Sequence, residues 1–122
     1  RKTMYICPMH SNELIKGTLS TIILKLLKEN GRMYGYDISK AVKERTSGKI
    51  LLKEGSLYPA LHKLLQEGLI QSEEESIGKR KRIYYRLTEM GISKTTEKVS
   101  ELLSFFDTIQ TLILNDKPLL NA

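Results

Sequence analysis

The sequence has almost no cysteine and no long apolar run. Cys7 is the single cysteine among 122 residues, so the chain cannot form an internal disulfide, which is typical of a reducing compartment. No segment approaches the roughly 18 uninterrupted apolar residues that a membrane-spanning helix needs. Residues 1–12 lack the apolar run and the small-residue cleavage site of a secretory signal. We therefore expect a cytoplasmic protein with no membrane partner.

The sequence also lacks the patterns by which catalytic sites are recognised. It contains no glycine-rich phosphate loop, no nucleophile elbow and no paired-carboxylate site. Ser56, His62 and Asp37 are present, but their surroundings are typical of a DNA-reading segment. We expect a protein that is not an enzyme, with no catalytic residue and no cofactor.

The N-terminal segment contains a small group of soft metal ligands. Cys7, Met9 and His10 place a thiol, a thioether and an imidazole within four residues, and such donors suit copper or a similar ion. The run resembles short heavy-metal-binding segments of metal transport proteins, but it has no second cysteine pair. We interpret residues 1–12 as a flexible N-terminal extension without a metal site, and metal binding there is the alternative.

Positive charge is in excess and is unevenly placed. The net charge of +6 and the pI of about 9.4 indicate a polyanionic partner, nucleic acid before a membrane surface. Four consecutive cations occupy Lys79–Arg82, Arg86 follows them, and Glu73–Glu75 comes just before. We expect the acidic and the basic stretch to face different surroundings.

Three helices are predicted in the first half of the chain. Leu14–Glu29, Tyr36–Thr46 and Ser56–Glu67 each carry apolar residues at three- and four-residue spacing, and Ser11 or Asn12 can cap the first. Pro59 is expected in the first turn of the third helix, where a proline costs little because those N–H groups have no helical partner. Each helix is followed by a glycine that can end it: Gly31, Gly48 and Gly68.

After Gly68 the spacing of apolar residues changes from the helical period of three to four residues to alternation at every second residue. Leu69–Glu75 and Ile83–Leu87 are predicted strands, and residues 76–82 form the basic tip of the hairpin between them, with Gly78 in the turn. The predicted fold class is therefore mainly α with a small two-stranded antiparallel hairpin.

A long final helix is predicted from a cap at Thr88 to about Leu114. Its apolar residues follow an a/d heptad pattern, and its length of about 40 Å exceeds the span of the small preceding body. Much of its apolar face must pack elsewhere, most simply against a second copy of the chain; the alternative is a helix folded wholly over its own core. The predicted dimer interface consists of Ile92, Val99, Leu102, Phe106, Ile109 and Ile113.

This order of elements is that of a winged helix-turn-helix over residues 13–88, a C-terminal dimerisation helix over 89–115 and a tail over 116–122. A helix fits the major groove of double-stranded DNA, and a cationic hairpin tip lies beside the backbone and neutralises phosphates. Tyr58 as a half-buried core aromatic and His62 as a merely exposed residue are the alternatives to DNA contact. The predicted DNA-binding residues are Ser56, Tyr58, Pro59, His62 and Lys63 on the third helix and Lys79, Arg80, Lys81 and Arg82 on the wing.

Several spaced motifs resemble the PadR family of transcriptional regulators. Gly55–Leu64 (GSLYPALHKL) is similar to the family signature, and so is Gly68–Ile70 directly after it. Tyr34–Ile38 looks like the entry to the family's second helix, and Arg82–Gly91 looks like its wing strand and helix junction. The resemblance, which covers Leu14 to about Leu114, implies a homodimer that represses promoters at near-palindromic sites.

By position, the resemblance adds Tyr36 to the DNA-facing residues. A single C-terminal helix resembles the short subgroup, some of whose members respond to aromatic or drug-like compounds, so a small aromatic ligand is a further expected partner. Such members use tryptophan from the last helix, which this chain lacks, and Phe105 and Phe106 are the aromatic residues available there. The alternative function is a small-molecule or metal sensor, with ligand capture at the dimer interface or N-terminus as the main event.

Overall fold

The computed structural model describes residues 10–115, which form five helices and three strands. It confirms the predicted fold class of a mainly helical winged helix-turn-helix, although it has one strand more than expected. In chain order the elements are α1 (Asn12–Lys16), α2 (Leu19–Asn30), β1 (Arg32–Tyr34), α3 (Gly35–Arg45), α4 (Glu54–Gln66), β2 (Ile70–Ile77), β3 (Arg80–Leu87) and α5 (Glu89–Leu114).

The first predicted helix is two helices separated by a short break. The Ser11 side chain caps α1 by accepting from the Leu14 amide, and α1 ends at Gly17. The Thr18 amide and hydroxyl both donate to the Ile15 carbonyl at 3.0 Å, which turns the chain before α2 starts. The continuous helix expected over Leu14–Glu29 was therefore wrong, because local hydrogen bonds of Thr18 compete with the helical pattern.

Helix α4 begins two residues earlier than expected. Its N-cap is Lys53, so Pro59 is the sixth residue of the helix and not part of the first turn. The proline removes the bond that its N–H would have given to the Gly55 carbonyl. Burial of Leu57, Leu61 and Leu64 on the inner face keeps the helix in place despite this loss.

The sheet has three antiparallel strands in the order β1-β3-β2, and not the two that the sequence predicted. Strand β1 pairs with β3 through Arg32 opposite Arg86 and Tyr34 opposite Tyr84. The hairpin strands are also longer than expected and leave only two residues for the turn, where Gly78 has a φ of 62°. Three of the four consecutive cations therefore lie on β3 itself.

The core lies between α2, α3, α4 and the sheet. Met33 from β1 and Tyr85 from β3 join the helical residues, so the missed strand contributes directly to the core. Apart from Thr95 of α5, the large side chains that are fully buried are aliphatic and come from three helices: Ile23, Leu24, Leu27, Ile38, Leu57, Leu61 and Leu64.

The N-terminal half of α5 packs on α2. Thr88 accepts from the Gly91 amide at 3.0 Å and caps the helix as predicted. Thr95 is 1% exposed and donates to the Gly91 carbonyl, and Lys28 donates to the Thr96 hydroxyl at 2.8 Å. In the part of the chain that the structure describes, no helix is long and apolar enough to cross a membrane.

The C-terminal half of α5 has little contact with the rest of the chain. From Leu103 to Leu114 only Ile109 is partly buried. Phe106 is 48% exposed and Ile113 is 71% exposed, although both belong to the apolar heptad stripe. By contrast, Val99 and Leu102 are partly buried beside α2 and α3 of their own chain. The stripe therefore begins on the body and continues beyond it.

Candidate nucleic-acid interface

A groove of about 670 Å³ lies between the start of α3, the recognition-helix candidate α4 and the wing strand β3. It brings together five of the predicted DNA-binding residues, which are far apart in the sequence. Tyr34 and Gly35, which the sequence reasoning did not select as site residues, also line it. The predicted residues in the groove are Tyr36, Tyr58, Arg80, Lys81 and Arg82.

Tyr58 crosses from α4 to the first residue of α3. A Cβ atom added at Gly35 would lie 2.6 Å from the Tyr58 hydroxyl, so the ring can occupy this position only because Gly35 has no side chain. Tyr58 remains 39% exposed and lines the groove with Tyr36. The tyrosine therefore packs at its edge and presents the rest of its surface to the groove.

Tyrosine rings and guanidinium groups form a continuous row where the sheet meets α3. Arg32 lies 3.8 Å from the centre of the Tyr84 ring, and Arg82 lies 4.5 Å from the centre of the Tyr34 ring. The two rings are in edge contact at 5.5 Å, and Tyr36 stacks on Tyr34 at 6.0 Å. Such contacts hold cations at fixed positions relative to the aromatic faces.

The acidic triplet on β2 is paired with cations of the same sheet. Glu73 contacts Arg32 at 3.2 Å and Arg86 at 3.5 Å, and Glu75 also pairs with Arg32. Lys81 lies 3.8 Å from Glu74 with both side chains well exposed. The expectation that the acidic and basic stretches face different surroundings was therefore wrong, because antiparallel pairing of β2 with β3 places them side by side.

The turn of the wing retains unpaired positive charge. Within residues 10–115 neither Lys79 nor Arg80 forms an ion pair, and both are exposed. Tyr85 lines the same groove, and burial raises the pKa of its phenol above the ordinary value for tyrosine. The groove is consequently cationic at its wing edge and aromatic at its floor.

The remaining predicted residues of α4 do not all point the same way. Pro59 and His62 are exposed, and Ser56 is half-buried near the start of the helix. Lys63 lines a different depression, beside Lys16 of α1 and Lys98 of α5. The structure thus separates Lys63 from the groove that holds Tyr58 and the wing.

Of the three soft metal ligands predicted near the N-terminus, only His10 lies within the residues that the structure describes. Cys7 and Met9 lie outside the described residues. The amide of His10 donates to the Lys49 carbonyl at 3.0 Å. Among residues 10–115 no group of three histidine, cysteine or acidic side chains is placed to hold a metal ion.

Comparison with known proteins places this geometry in a family. Residues 23–97 match the transcriptional regulator PadR-like family. The structure of a transcriptional regulator from Clostridium thermocellum is 35% identical with a TM-score of 0.75, covering 82% of this chain and 97% of that one. A PadR family transcriptional regulator from Eggerthella lenta is 30% identical with a TM-score of 0.73, covering 85% and 88%.

One curated relative is a much longer protein, of which only a part matches this chain. The transcriptional regulator YqjI of Escherichia coli is 35% identical over 75 residues, which are 62% of this chain and 34% of that protein. The matched region of this chain therefore spans about a third of that relative's length. The resemblance found in the sequence motifs is confirmed: the chain belongs to the PadR-like family of transcriptional regulators, which are DNA-binding proteins and not enzymes.

Proposed function

We propose that the protein is a homodimeric repressor that binds a near-palindromic operator in double-stranded DNA. The groove between α3, α4 and β3 is the observation that supports this proposal most directly, because it places Tyr58 of α4 beside exposed wing cations on one side of the molecule. Repression then follows from occlusion of the promoter by the bound dimer.

Each subunit has the two kinds of group that a DNA reader needs. Tyr58, Pro59 and His62 are exposed on α4, which is narrow enough to enter a major groove and reach base edges. Lys79 and Arg80 extend from the wing turn and supply charge for the adjacent phosphates. Base contacts would specify the site, and phosphate contacts would hold the subunit in register.

The projecting half of α5 supports the dimer. Phe106 and Ile113 lie seven residues apart on one face and are exposed in the single chain, so a second copy of α5 would remove them from water. Pairing would present two α4 helices to successive major grooves, about 34 Å apart on one face of the duplex. An aromatic inducer taken up between paired α5 helices would contact Phe105 and Phe106.

The test of the proposal is selection of a binding sequence from random duplexes by the unaltered protein, followed by footprinting. We expect an inverted repeat whose half-sites are one helical turn apart. Enrichment of no sequence, or of a single half-site protected by one subunit, would reject the proposal.

Tyr58→Ala is expected to weaken binding to the selected duplex by about tenfold, the loss typical of one base-directed contact. Binding to a scrambled duplex of the same composition should not change, because phosphate contacts carry non-specific affinity. Fluorescence anisotropy measures both, and Tyr58→Phe, which keeps the ring, separates the ring from the hydroxyl. Equal affinity of Tyr58→Ala and the unaltered protein for the selected duplex would contradict the role of α4.

Removal of wing charge is expected to lower affinity for every duplex. Lys79→Ala and Arg80→Ala should each reduce the slope of log affinity against log salt by about 1 per subunit. Arg45→Ala is the matched control, because it removes one positive charge that is paired with Glu29 at the far end of α3. A salt slope unchanged by Arg80→Ala would show that the wing does not contact phosphate.

A further inference from the structure

We infer that Arg82 is a positioning residue that holds the wing at a fixed angle to helix α4, while Lys79 and Arg80 of the same wing contact phosphate. The inference rests on the proposed function and assigns a separate role to one of the four consecutive wing cations. Its guanidinium lies 4.5 Å from the centre of the Tyr34 ring, and the residue is half-buried.

The register of the sheet shows why a tether is needed at this point. Strand β3 pairs with β1 only from Arg86 to Tyr84, so the wing beyond Tyr84 is supported on one side by β2 alone. Arg82 is two residues past the last paired position. Together with the ion pair between Arg32 and Glu75, its contact with Tyr34 extends side-chain support from β1 into the wing.

The charge pairing of the sheet leaves Arg82 for this contact. Its register partner on β2 is Glu75, but the Glu75 carboxylate pairs with Arg32 from β1. Within residues 10–115 Arg82 forms no ion pair, and its guanidinium faces the ring of Tyr34 and also interacts with the side chain of Tyr84 on its own strand. A planar guanidinium stacks on a ring in a way that the ammonium of a lysine does not.

Tyr34 connects this contact to the DNA-reading elements. Its amide donates to the Asp37 carboxylate at 3.3 Å in the first turn of α3. Its ring stacks on Tyr36, which lines the same groove as Tyr58. The angle of the wing is thereby tied to the elements that form the floor of the groove.

The consequence is an effect on specificity. In a non-specific complex the wing cations can follow the phosphates at any wing angle, because the contact is a screened charge interaction. In the specific complex α4 and the wing must engage the duplex in one register at the same time. A mobile wing must therefore be fixed in one position only when the specific complex forms. The entropy lost in fixing it lowers affinity for the specific duplex and leaves non-specific affinity unchanged.

The experiment compares Arg82→Lys with Arg45→Lys on two probes: the duplex selected by the unaltered protein and its scrambled counterpart. Both substitutions keep the charge. We expect Arg82→Lys to lose about fivefold in affinity for the selected duplex, the size of one cation–ring contact. Its affinity for the scrambled duplex and its salt slope should not change, and Arg45→Lys, at a residue that is paired with Glu29 and does not line the groove, should behave as the unaltered protein.

Substitutions at Tyr34 provide the partner test. Tyr34→Phe keeps the ring and should bind the selected duplex normally, whereas Tyr34→Leu should lose at least as much as Arg82→Lys, because it also removes the contacts of this ring with Tyr36 and Tyr84. The double variant Arg82→Lys with Tyr34→Leu should lose no more than Tyr34→Leu alone, because that variant already lacks the ring that Arg82 contacts. Thermal unfolding of each variant shows whether the fold is retained.

The outcomes separate this inference from the function it rests on. If the unaltered protein does not distinguish the two duplexes, the proposed function fails. If it does, the inference is overturned by Arg82→Lys binding as the unaltered protein does, by equal losses on both duplexes, or by additive losses in the double variant.

Discussion

Gly91→Ala is expected to lower the melting temperature by about 10 °C or more, because the added methyl group meets backbone that cannot move aside. A Cβ at Gly91 would lie 1.9 Å from the Leu69 carbonyl oxygen and 3.3 Å from Cδ2 of Leu87. The first turn of α5 would have to leave the start of β2 to relieve this overlap.

The same junction contains several hydrogen bonds that such a movement would break. Thr88 donates through its amide to Leu69 and through its hydroxyl to the Gly68 carbonyl, at 3.1 and 2.7 Å. The Thr88 hydroxyl also accepts from the Gly91 amide. Overpacking at this site is therefore expected to lower the free energy of unfolding by about 3 kcal/mol or more, through lost packing contacts and the lost helix cap.

Gly55→Ala is the matched control for this loss. Gly55 also lies in the first turn of a long helix, but a Cβ there would meet nothing within 4 Å. The substitution should leave stability unchanged or raise it slightly, since alanine is the better helix former. Thermal unfolding followed by circular dichroism at equal subunit concentration measures both variants. Equal melting temperatures for Gly91→Ala and Gly55→Ala would contradict the packing described at the α5 junction.

Long amphipathic segments were predictable from the sequence, and features that depend on tertiary partners were not. Helix α5 has a strong side-chain cap at Thr88 and a repeating apolar stripe, so both its start and its extent follow from local signals. Strand β1 has three residues, too few for a period of two, and it exists only because β3 lies beside it. The start of α4 at Glu54 also differed from the sequence prediction, which had used Pro59 to place the first turn.

Some residues that line the groove could be selected from the sequence, but their arrangement could not be predicted. Tyr58 and Arg80 could be selected because a helix face and a cationic hairpin are sequence patterns. The contact of Arg82 with Tyr34 depends on the register of β1 and could not be read from spacing along the chain. The position of Lys63 beside α5 follows from the angle between two helices, which the sequence does not specify.

Phe106→Glu together with Ile113→Glu is expected to convert the protein to single subunits that bind the selected duplex at least about a hundredfold more weakly, because avidity from two linked half-sites is lost. Each glutamate would place a charge in the apolar seam, and two copies of it would face each other across the two-fold axis. Sedimentation measures the oligomeric state, and anisotropy measures affinity.

Ser104→Glu with Thr111→Glu is the control that isolates the seam. These residues are also seven apart and exposed, but a helical repeat places them on the face of α5 opposite to Phe106 and Ile113. This pair adds the same charge to the same half of the helix and should remain dimeric with normal affinity. The projecting half of α5 makes little contact with the body of its own chain. The double variant at Phe106 and Ile113 should therefore remain folded as a single subunit and show a thermal unfolding transition. A dimer that survives the Phe106 and Ile113 substitutions would place the interface elsewhere, and single subunits from both pairs would trace the loss to charge and not to the apolar stripe.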